Sequence, residues 1–331
     1  MSLPLQELAF AGHADRFSGA MQTLQSYLTG RTRLGFAARS AQDTGEYVAA
    51  LGFLCGALQA MTQEITDLRS REETSRRRIA QFDEQIEAAA AIQRDLLPVR
   101  MPDIRGLDVH TLFRPMEALS GDWYDVFRID ETHVGFALAD AVGHGIPGGI
   151  LSTFLSRSFR NVQLTSNARH SPSPDQVLGN INQYLLDADF GDSSFVSALF
   201  ACYHEPTRTL TWARGGAPYP ILIPRSGASV QIKSNGPLIG AIDKPKFDVA
   251  RLTLQPGDIV VFHTDGLEAL LSDRQVLSAC PANGDSPWFS RLCESSMNQQ
   301  LEDLDRRLAE IGASTWRRDD VTVVALQTRE N

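Results

Sequence analysis

A long heptad-spaced seam constrains this chain more than any other stretch. Leu51, Leu54, Leu58, Met61, Ile65, Leu68, Glu72, Ser75, Ile79, Phe82, Ile86, Ala89, Gln93 and Leu96 follow one another at alternating steps of three and four, with no proline before Pro98. That spacing lines one helix face over more than six heptads, apolar at both ends, the pattern of a coiled coil. A helix over 51–97 would be about 70 Å long at 1.5 Å per residue, too long for a small domain to cover. The expectation is a parallel homodimer helix; a single helix lying on its own domain is the alternative. The seam turns polar at Glu72 and Ser75, beside the charge cluster 69–78. Polar seam positions lower stability and set register, so this helix could relay a change of packing from end to end.

Residues 1–50 carry helical spacing at Leu5, Leu8, Phe17, Met21, Leu24 and Leu28, with a helix stop at Thr29-Gly30. They read as a helical regulatory or dimerisation module ahead of the 51–97 linker helix. Pro98 and Pro102 mark the next boundary. Beyond it the apolar period changes from 3.6 to 2, with strand-like runs at 107–113, 124–129, 133–139, 195–203, 209–213, 219–224, 230–232, 247–254, 258–263 and 321–326. Helical patterns occupy 146–162, 174–187 and 287–311. Many consecutive strands with few inserted helices indicate antiparallel sheets with helices outside, an α+β domain over 98–331.

The formal charge of −9 argues against nucleic acid as a partner. Four cysteines show no Cys-x-x-Cys spacing, as in a reducing cytoplasm. No run approaches the roughly 18 to 20 apolar residues of a membrane helix, and no signal peptide is visible. A cytoplasmic protein without a membrane partner is expected.

The chemistry concentrates where strands end. The run 133–139 delivers Asp140 to a turn, Ala141-Val142-Gly143-His144-Gly145. Gly121-Asp122-Trp123-Tyr124-Asp125 precedes it, Thr264-Asp265-Gly266 follows a second apolar run, and Asp319-Asp320-Val321-Thr322 opens a third. One such acid alone would be an Asx-type turn. Four at strand borders read as a site for hard divalent cations such as Mg²⁺ or Mn²⁺, which prefer oxygen ligands. Two ions sharing an acid and a water would lower that water's pKa and neutralise charge developing at phosphorus. Asp140, at the tightest turn, is the candidate bridging acid, and the Ala141 carbonyl could add an oxygen. Four unneutralised acids close together would repel strongly, so they should need metal.

Ala91-Ile92-Gln93-x-x-Leu96-Leu97-Pro98, Ser120-Gly121-Asp122-Trp123-Tyr124-Asp125, Ala139-Asp140-x-x-Gly143-His144-Gly145, Pro256-Gly257-Asp258-x-x-Val261-x-x-Thr264-Asp265-Gly266 and Asp319-Asp320-Val321-Thr322 together resemble the RsbU/SpoIIE branch of the metal-dependent (type 2C-like) serine/threonine protein phosphatases. The resemblance spans residues 91 to 327. It implies an α-β-β-α sandwich of two antiparallel sheets flanked by helices, with two manganese or magnesium ions at one edge. It also implies metal-ligand positions at Asp122, Asp140, Asp265 and Asp319, with the Ala141 carbonyl. The implied substrate is a phosphoserine or phosphothreonine on a STAS-domain anti-sigma-factor antagonist in a partner-switching pathway, with an N-terminal sensor or dimer module joined by a regulating helix; a regulatory protein or a ligand at residues 1–50 could act through that helix. Asp125 and Asp320, beside presumed ligands, read as supporting acids.

Several positions depart from the family pattern. Val142 stands where eukaryotic relatives carry a histidine proposed as general acid, leaving His144 as the nearest candidate for that role. Gly215-Gly216-Ala217-Pro218-Tyr219 lacks the usual histidine, and Glu268 comes one residue early. Arg114 is a candidate for the substrate phosphate. The competing class is a catalytically degenerate fold of the same kind that only docks a partner. A nucleotide hydrolase is disfavoured because no Gly-x-x-x-x-Gly-Lys-Ser/Thr loop exists.

Overall fold

A computed structural model of the chain describes residues 41–143, 145–165, 173–188, 190, 195–226, 228–271, 297–311 and 319–329. Most of the expected N-terminal module, 1–40, lies outside the described residues, as does His144. The chain divides into two compact units, 1–82 and 83–331. No described helix is long and apolar enough to cross a membrane.

Helix α1 (Ala41–Arg94) is continuous. It begins ahead of residue 51 because the seam is preceded by further helix-compatible residues, Glu46, Ala49 and Ala50 among them. Within the first unit the seam residues Leu58, Met61, Ile65, Leu68, Ile79 and Phe82 are all exposed. An exposed Glu72–Arg76 pair at 2.7 Å spans one turn and contributes a few tenths of a kcal/mol.

In the second unit the last turns of α1 bury Ala90 and Gln93. The chain then runs through β1 (Leu107–Arg114), β2 (Asp122–Arg128), β3 (His133–Ala141), α2 (Gly145–Thr165), α3 (Pro174–Ala188), β4 (Val196–His204) and β5 (Thr209–Gly215). It continues through β6 (Ile221–Ile223), β7 (Val230–Gln231), β8 (Ala250–Thr253), β9 (Ile259–His263), α4 (Asp265–Leu271), α5 (Met297–Ile311) and β10 (Val321–Thr328). Among the described residues two five-stranded sheets result, ordered β1-β10-β9-β6-β7 and β2-β3-β4-β5-β8, with every strand pairing antiparallel.

Alternation sorts the strands into layers. On β10, Val324 and Leu326 face the other sheet and meet Phe136, Leu138, Tyr203 and Trp212 in the central core. Val323 and Ala325 face outward and pack with Met297, Leu301 and Leu304 of α5. The outer face of the second sheet, with Ala137, Ala139 and Phe200, is covered by Leu151, Leu155 and Phe159 of α2 and by Leu178 and Ile181 of α3. This is the expected α-β-β-α sandwich.

Details differ from the periodicity. The run 219–224 narrows to β6 because Pro220 and Pro224 flank it and cannot donate to a ladder. Only Ala250–Thr253 of 247–254 pairs, with β5. A short helix, α4, starts at Asp265, where the sequence reading ended at a strand border. The described part of the 287–311 helix begins at Met297.

Candidate functional site

Asp122 opens β2 and Asp140 nearly closes β3, and antiparallel register sets the two directly opposite. Asp122 shares its face with Tyr124 and Val126, and Asp140 with Leu138 and Phe136, all members of the central core. Both acids therefore stand on the inter-sheet face, where the apolar filling of the sandwich runs out. The other sheet supplies hydroxyls at the same end. Thr264 Oγ1 and Thr322 Oγ1 donate to Asp122 Oδ2 at 2.8 and 2.6 Å, and the Thr322 N–H donates to Thr264 Oγ1 at 3.0 Å. Asp122, only 2% exposed, is thus held by both sheets.

Two further acids arrive on short connections. Asp265 is the exposed first residue of α4, and Asp319 is half-buried just before β10. A Cβ on Gly266 would come within 1.9 Å of the Asp320 carbonyl oxygen, so glycine is required for α4 to start this close to β10. Asp320 is buried and accepts the Met116 N–H at 2.6 Å and the Gly121 N–H at 2.8 Å, which fastens the segment leading into Asp122. A Cβ on Gly121 would come within 2.8 and 2.9 Å of the Ala141 and Gly143 carbonyl oxygens. Glycine is required there because both oxygens pack against its Cα.

Burial pushes the Asp140 carboxyl up to about 8, helped by the charges of Asp265, then Asp319, then Asp320. Asp122 is also held well above the ordinary carboxylate range, by burial first and the Asp140 charge next, while the two threonine hydroxyls pull it back. Each acid is therefore costly to ionise without a cation. The donor set is all oxygen, which suits Mg²⁺ or Mn²⁺. Among the described residues no three Asp, Glu, His or Cys side chains are grouped to hold an ion by themselves. The acids feel one another's charge yet form no cage, an arrangement suited to cations that keep several waters and take one or two carboxylates. The residues fit such ions.

Other expected residues have different surroundings. Asp125 lies on the opposite face of β2 from Asp122, and its Oδ2 accepts from Arg160 Nε at 2.9 Å. Arg160 in turn donates to the Leu96 carbonyl. Arg114, the candidate for a substrate phosphate, is ion-paired with Asp305 of α5 and donates to its carbonyl. Val142 is exposed, and Glu268 lies exposed on the first turn of α4.

Sequence reasoning missed three anchoring residues. Thr264 and Thr322 sat inside quoted motifs, but their role depends on sheet pairing that brings residues 142 and 200 positions from Asp122 beside it. Gln93 stands in the heptad seam and in the first quoted motif, neither of which gives it a bonding role. Its Nε2 donates to the Ser120 carbonyl and to Ser152 Oγ at 2.7 Å each, while its Oε1 accepts the Ser120 N–H at 3.0 Å. The end of α1 is thereby bonded two residues from Asp122.

Comparisons with known proteins agree with this architecture. The family model described as Stage II sporulation protein E (SpoIIE) matches residues 130–329. Phosphoserine phosphatase RsbU of Bacillus subtilis (strain 168) is 23% identical over 225 residues, which cover 68% of this chain and 63% of that protein. The chain spans less than two thirds of the length of the first curated relatives it matches. Among solved structures, the SiaA-PP2C domain of Pseudomonas aeruginosa superposes with a TM-score of 0.61 at 19% identity, over 76% of this chain and 98% of that one. RsbX in complex with magnesium superposes with a TM-score of 0.50 at 18% identity, over 69% of this chain and 98% of that one. With the sandwich, the acids at its edge and a family match over most of the second unit, the chain belongs to the SpoIIE family, in the RsbU/SpoIIE-like branch of the PP2C-type phosphatases.

Proposed function

We propose that this chain is a metal-dependent phosphoprotein phosphatase that hydrolyses phosphoserine or phosphothreonine on a STAS-domain anti-sigma-factor antagonist in a partner-switching pathway. One observation carries the reading. Asp122 and Asp140 face each other across β2 and β3 at the open end of the sandwich, inside the field of Asp265, Asp319 and Asp320. A purely docking surface has no use for buried acids that resist ionisation.

In this reading Asp122, Asp140, Asp265, Asp319 and the Ala141 carbonyl would hold two Mn²⁺ or Mg²⁺ ions; the similar RsbX structure is a complex with magnesium. When bound, such ions activate water for attack on phosphorus and neutralise the charge that develops on the phosphoryl oxygens. The chain's own residues fix the geometry. Thr264 and Thr322 hold one oxygen of Asp122, Asp320 fastens the backbone at Met116 and Gly121, and Gly121 lets that turn pack against the Ala141 carbonyl. The general acid is unassigned, since His144 lies outside the described residues.

Regulation is assigned to the N-terminal helices. The exposed seam of α1 would pair with a second copy to make a homodimer, and a partner protein at residues 1–50 would alter that packing. Gln93 supplies the route, because it bonds the end of α1 to Ser120. The test is hydrolysis of a phosphoserine STAS-domain protein and of p-nitrophenyl phosphate, with and without Mn²⁺. The expected outcome is a Mn²⁺-dependent rate that falls at least 100-fold in Asp140→Asn, about 2.7 kcal/mol of lost transition-state stabilisation. A rate indifferent to both metal and mutation would leave only the docking role.

A further inference from the structure

The outer face of the second sheet changes character along its length. Near the acids it is apolar and covered by α2 and α3. At the far end the same faces present His133 of β3, His204 of β4, Thr211 of β5 and Arg251 of β8, which line an open cavity of about 490 Å³. We propose that this cavity binds a phosphate-bearing small molecule, at a site separate from the acidic edge.

Register builds the polar wall. His133 and His204 are directly opposite in the β3–β4 ladder, and their rings stack with centroids 4.6 Å apart. Thr211 and Arg251 are directly opposite in the β5–β8 ladder. The imidazoles are each committed on one side only. His133 Nδ1 lies 2.8 Å from Asp130 Oδ2, and His204 Nδ1 lies 2.7 Å from Thr207 Oγ1. Both Nε2 atoms, the Thr211 hydroxyl and the Arg251 guanidinium have no hydrogen-bond or ion-pair partner among the described residues.

The chemistry of these groups selects the ligand. A guanidinium is always a cation and only donates, a hydroxyl can donate, and an imidazole donates from Nε2 when protonated. Two stacked imidazoles would repel if both were charged, and an anion against them removes that penalty. A cation is a poor fit, because the Arg251 guanidinium in the cavity wall is always positive and offers no acceptor. Donors reach the cavity from four strands, which suits the several oxygens of a tetrahedral phosphate. A planar carboxylate would be satisfied by the arginine fork alone. The volume lies in the range of small-molecule sites. Val249 and Pro174 add an apolar wall for the organic part of the ligand.

The test follows the histidine Cε1–H resonances of the full-length protein during titration with inorganic phosphate and with non-hydrolysable phenylphosphonate. His133→Asn and His204→Asn identify the two signals. Both signals should move together and saturate, with phenylphosphonate binding at least 10-fold more tightly than inorganic phosphate. Arg251→Ala and Thr211→Val, made separately, should each weaken binding, the arginine change by 10-fold or more. Asp140→Asn should leave the titration unchanged, so the result does not depend on the phosphatase reading. Absence of movement overturns the proposal. So does a response that never saturates and is equal in Arg251→Ala, or phenylphosphonate binding no tighter than phosphate.

Discussion

Asp122 Oδ2 receives two hydroxyl hydrogen bonds from the opposing sheet, and much of the behaviour of the site follows from that one oxygen. Replacing Thr322 by valine removes the shorter bond and leaves a buried carboxylate less satisfied, at a cost of about 1–3 kcal/mol. Thermal melts of Thr322→Val should show a midpoint lowered by several degrees, and Mn²⁺ should bind more weakly, because the ionised form of Asp122 has lost support. Unchanged metal affinity would mean that the hydroxyl serves only to join the sheets. Asp140 gives a pH prediction. Its folded pKa, near 8, lies above its unfolded value of 3.8, so the folded state holds the proton longer. In chelator-treated protein this contribution to stability is fully present below about pH 4 and is lost as pH rises toward 8, at up to about 1.4 kcal/mol per pH unit. The melting point of the chelated protein should therefore fall between pH 5.5 and 8, and the gain on adding Mn²⁺ should be larger at pH 8. An equal Mn²⁺ gain at both values would remove Asp140 from the metal site. The acids themselves were legible in the sequence because each borders an apolar run near a glycine or a second acid. Their hydroxyl partners were not, since nothing local tells a threonine in a strand that it faces a carboxylate on another sheet.

At the scale of elements, alternation did most of the work. Period 2 in β3, β4, β9 and β10 set which residues face the core, and the parity that buries Leu138 also aims Asp140 inward. Elements defined by tertiary contact escaped that logic. The helix α4 is only seven residues long, and it exists where Gly266 lets the chain turn against the Asp320 carbonyl. Gly266→Ala should displace the start of α4, Asp265 with it. The Mn²⁺-dependent rate is expected to drop at least 10-fold, and circular dichroism should retain the signature of the two sheets. A variant with full activity would show that the contact relaxes freely. Gln93 shows the opposite failure, a residue assigned to the wrong interaction. Helical spacing put it on the coiled-coil seam, yet it is 7% exposed and bonded to Ser120 and Ser152. Gln93→Leu keeps the helix and its apolar spacing but removes these bonds, leaving the Ser120 N–H without that acceptor. The expected outcome is a reduced kcat with the α1 helix intact, since the turn carrying Asp122 is less firmly held.

For the whole molecule, the family match covers residues 130–329, while the most regular pattern in the sequence lies outside it, on α1. A lone helix in water gains little from apolar residues left exposed, and helices of this kind are stabilised mainly by packing. Yet Leu58, Met61, Ile65, Leu68, Ile79 and Phe82 all remain on the surface of the single chain. Their heptad spacing is what a second parallel helix would fill, and the polar interruption at Glu72 and Ser75 weakens the middle of such a pair. Sedimentation of the full-length protein should therefore give twice the 36.4 kDa chain mass at micromolar concentration. Ile65→Asp combined with Leu68→Asp places charge in the seam without touching the second unit, and should return the monomer. Thermal midpoints should depend on protein concentration for the wild type and not for the double variant. If the seam also governs activity, the monomer should retain Mn²⁺ binding while its rate on the phosphorylated STAS protein changes at least severalfold. A wild-type monomer at these concentrations would sink the coiled coil. A dimer whose dissociation leaves the rate untouched would separate assembly from control and leave Gln93 as a purely structural latch.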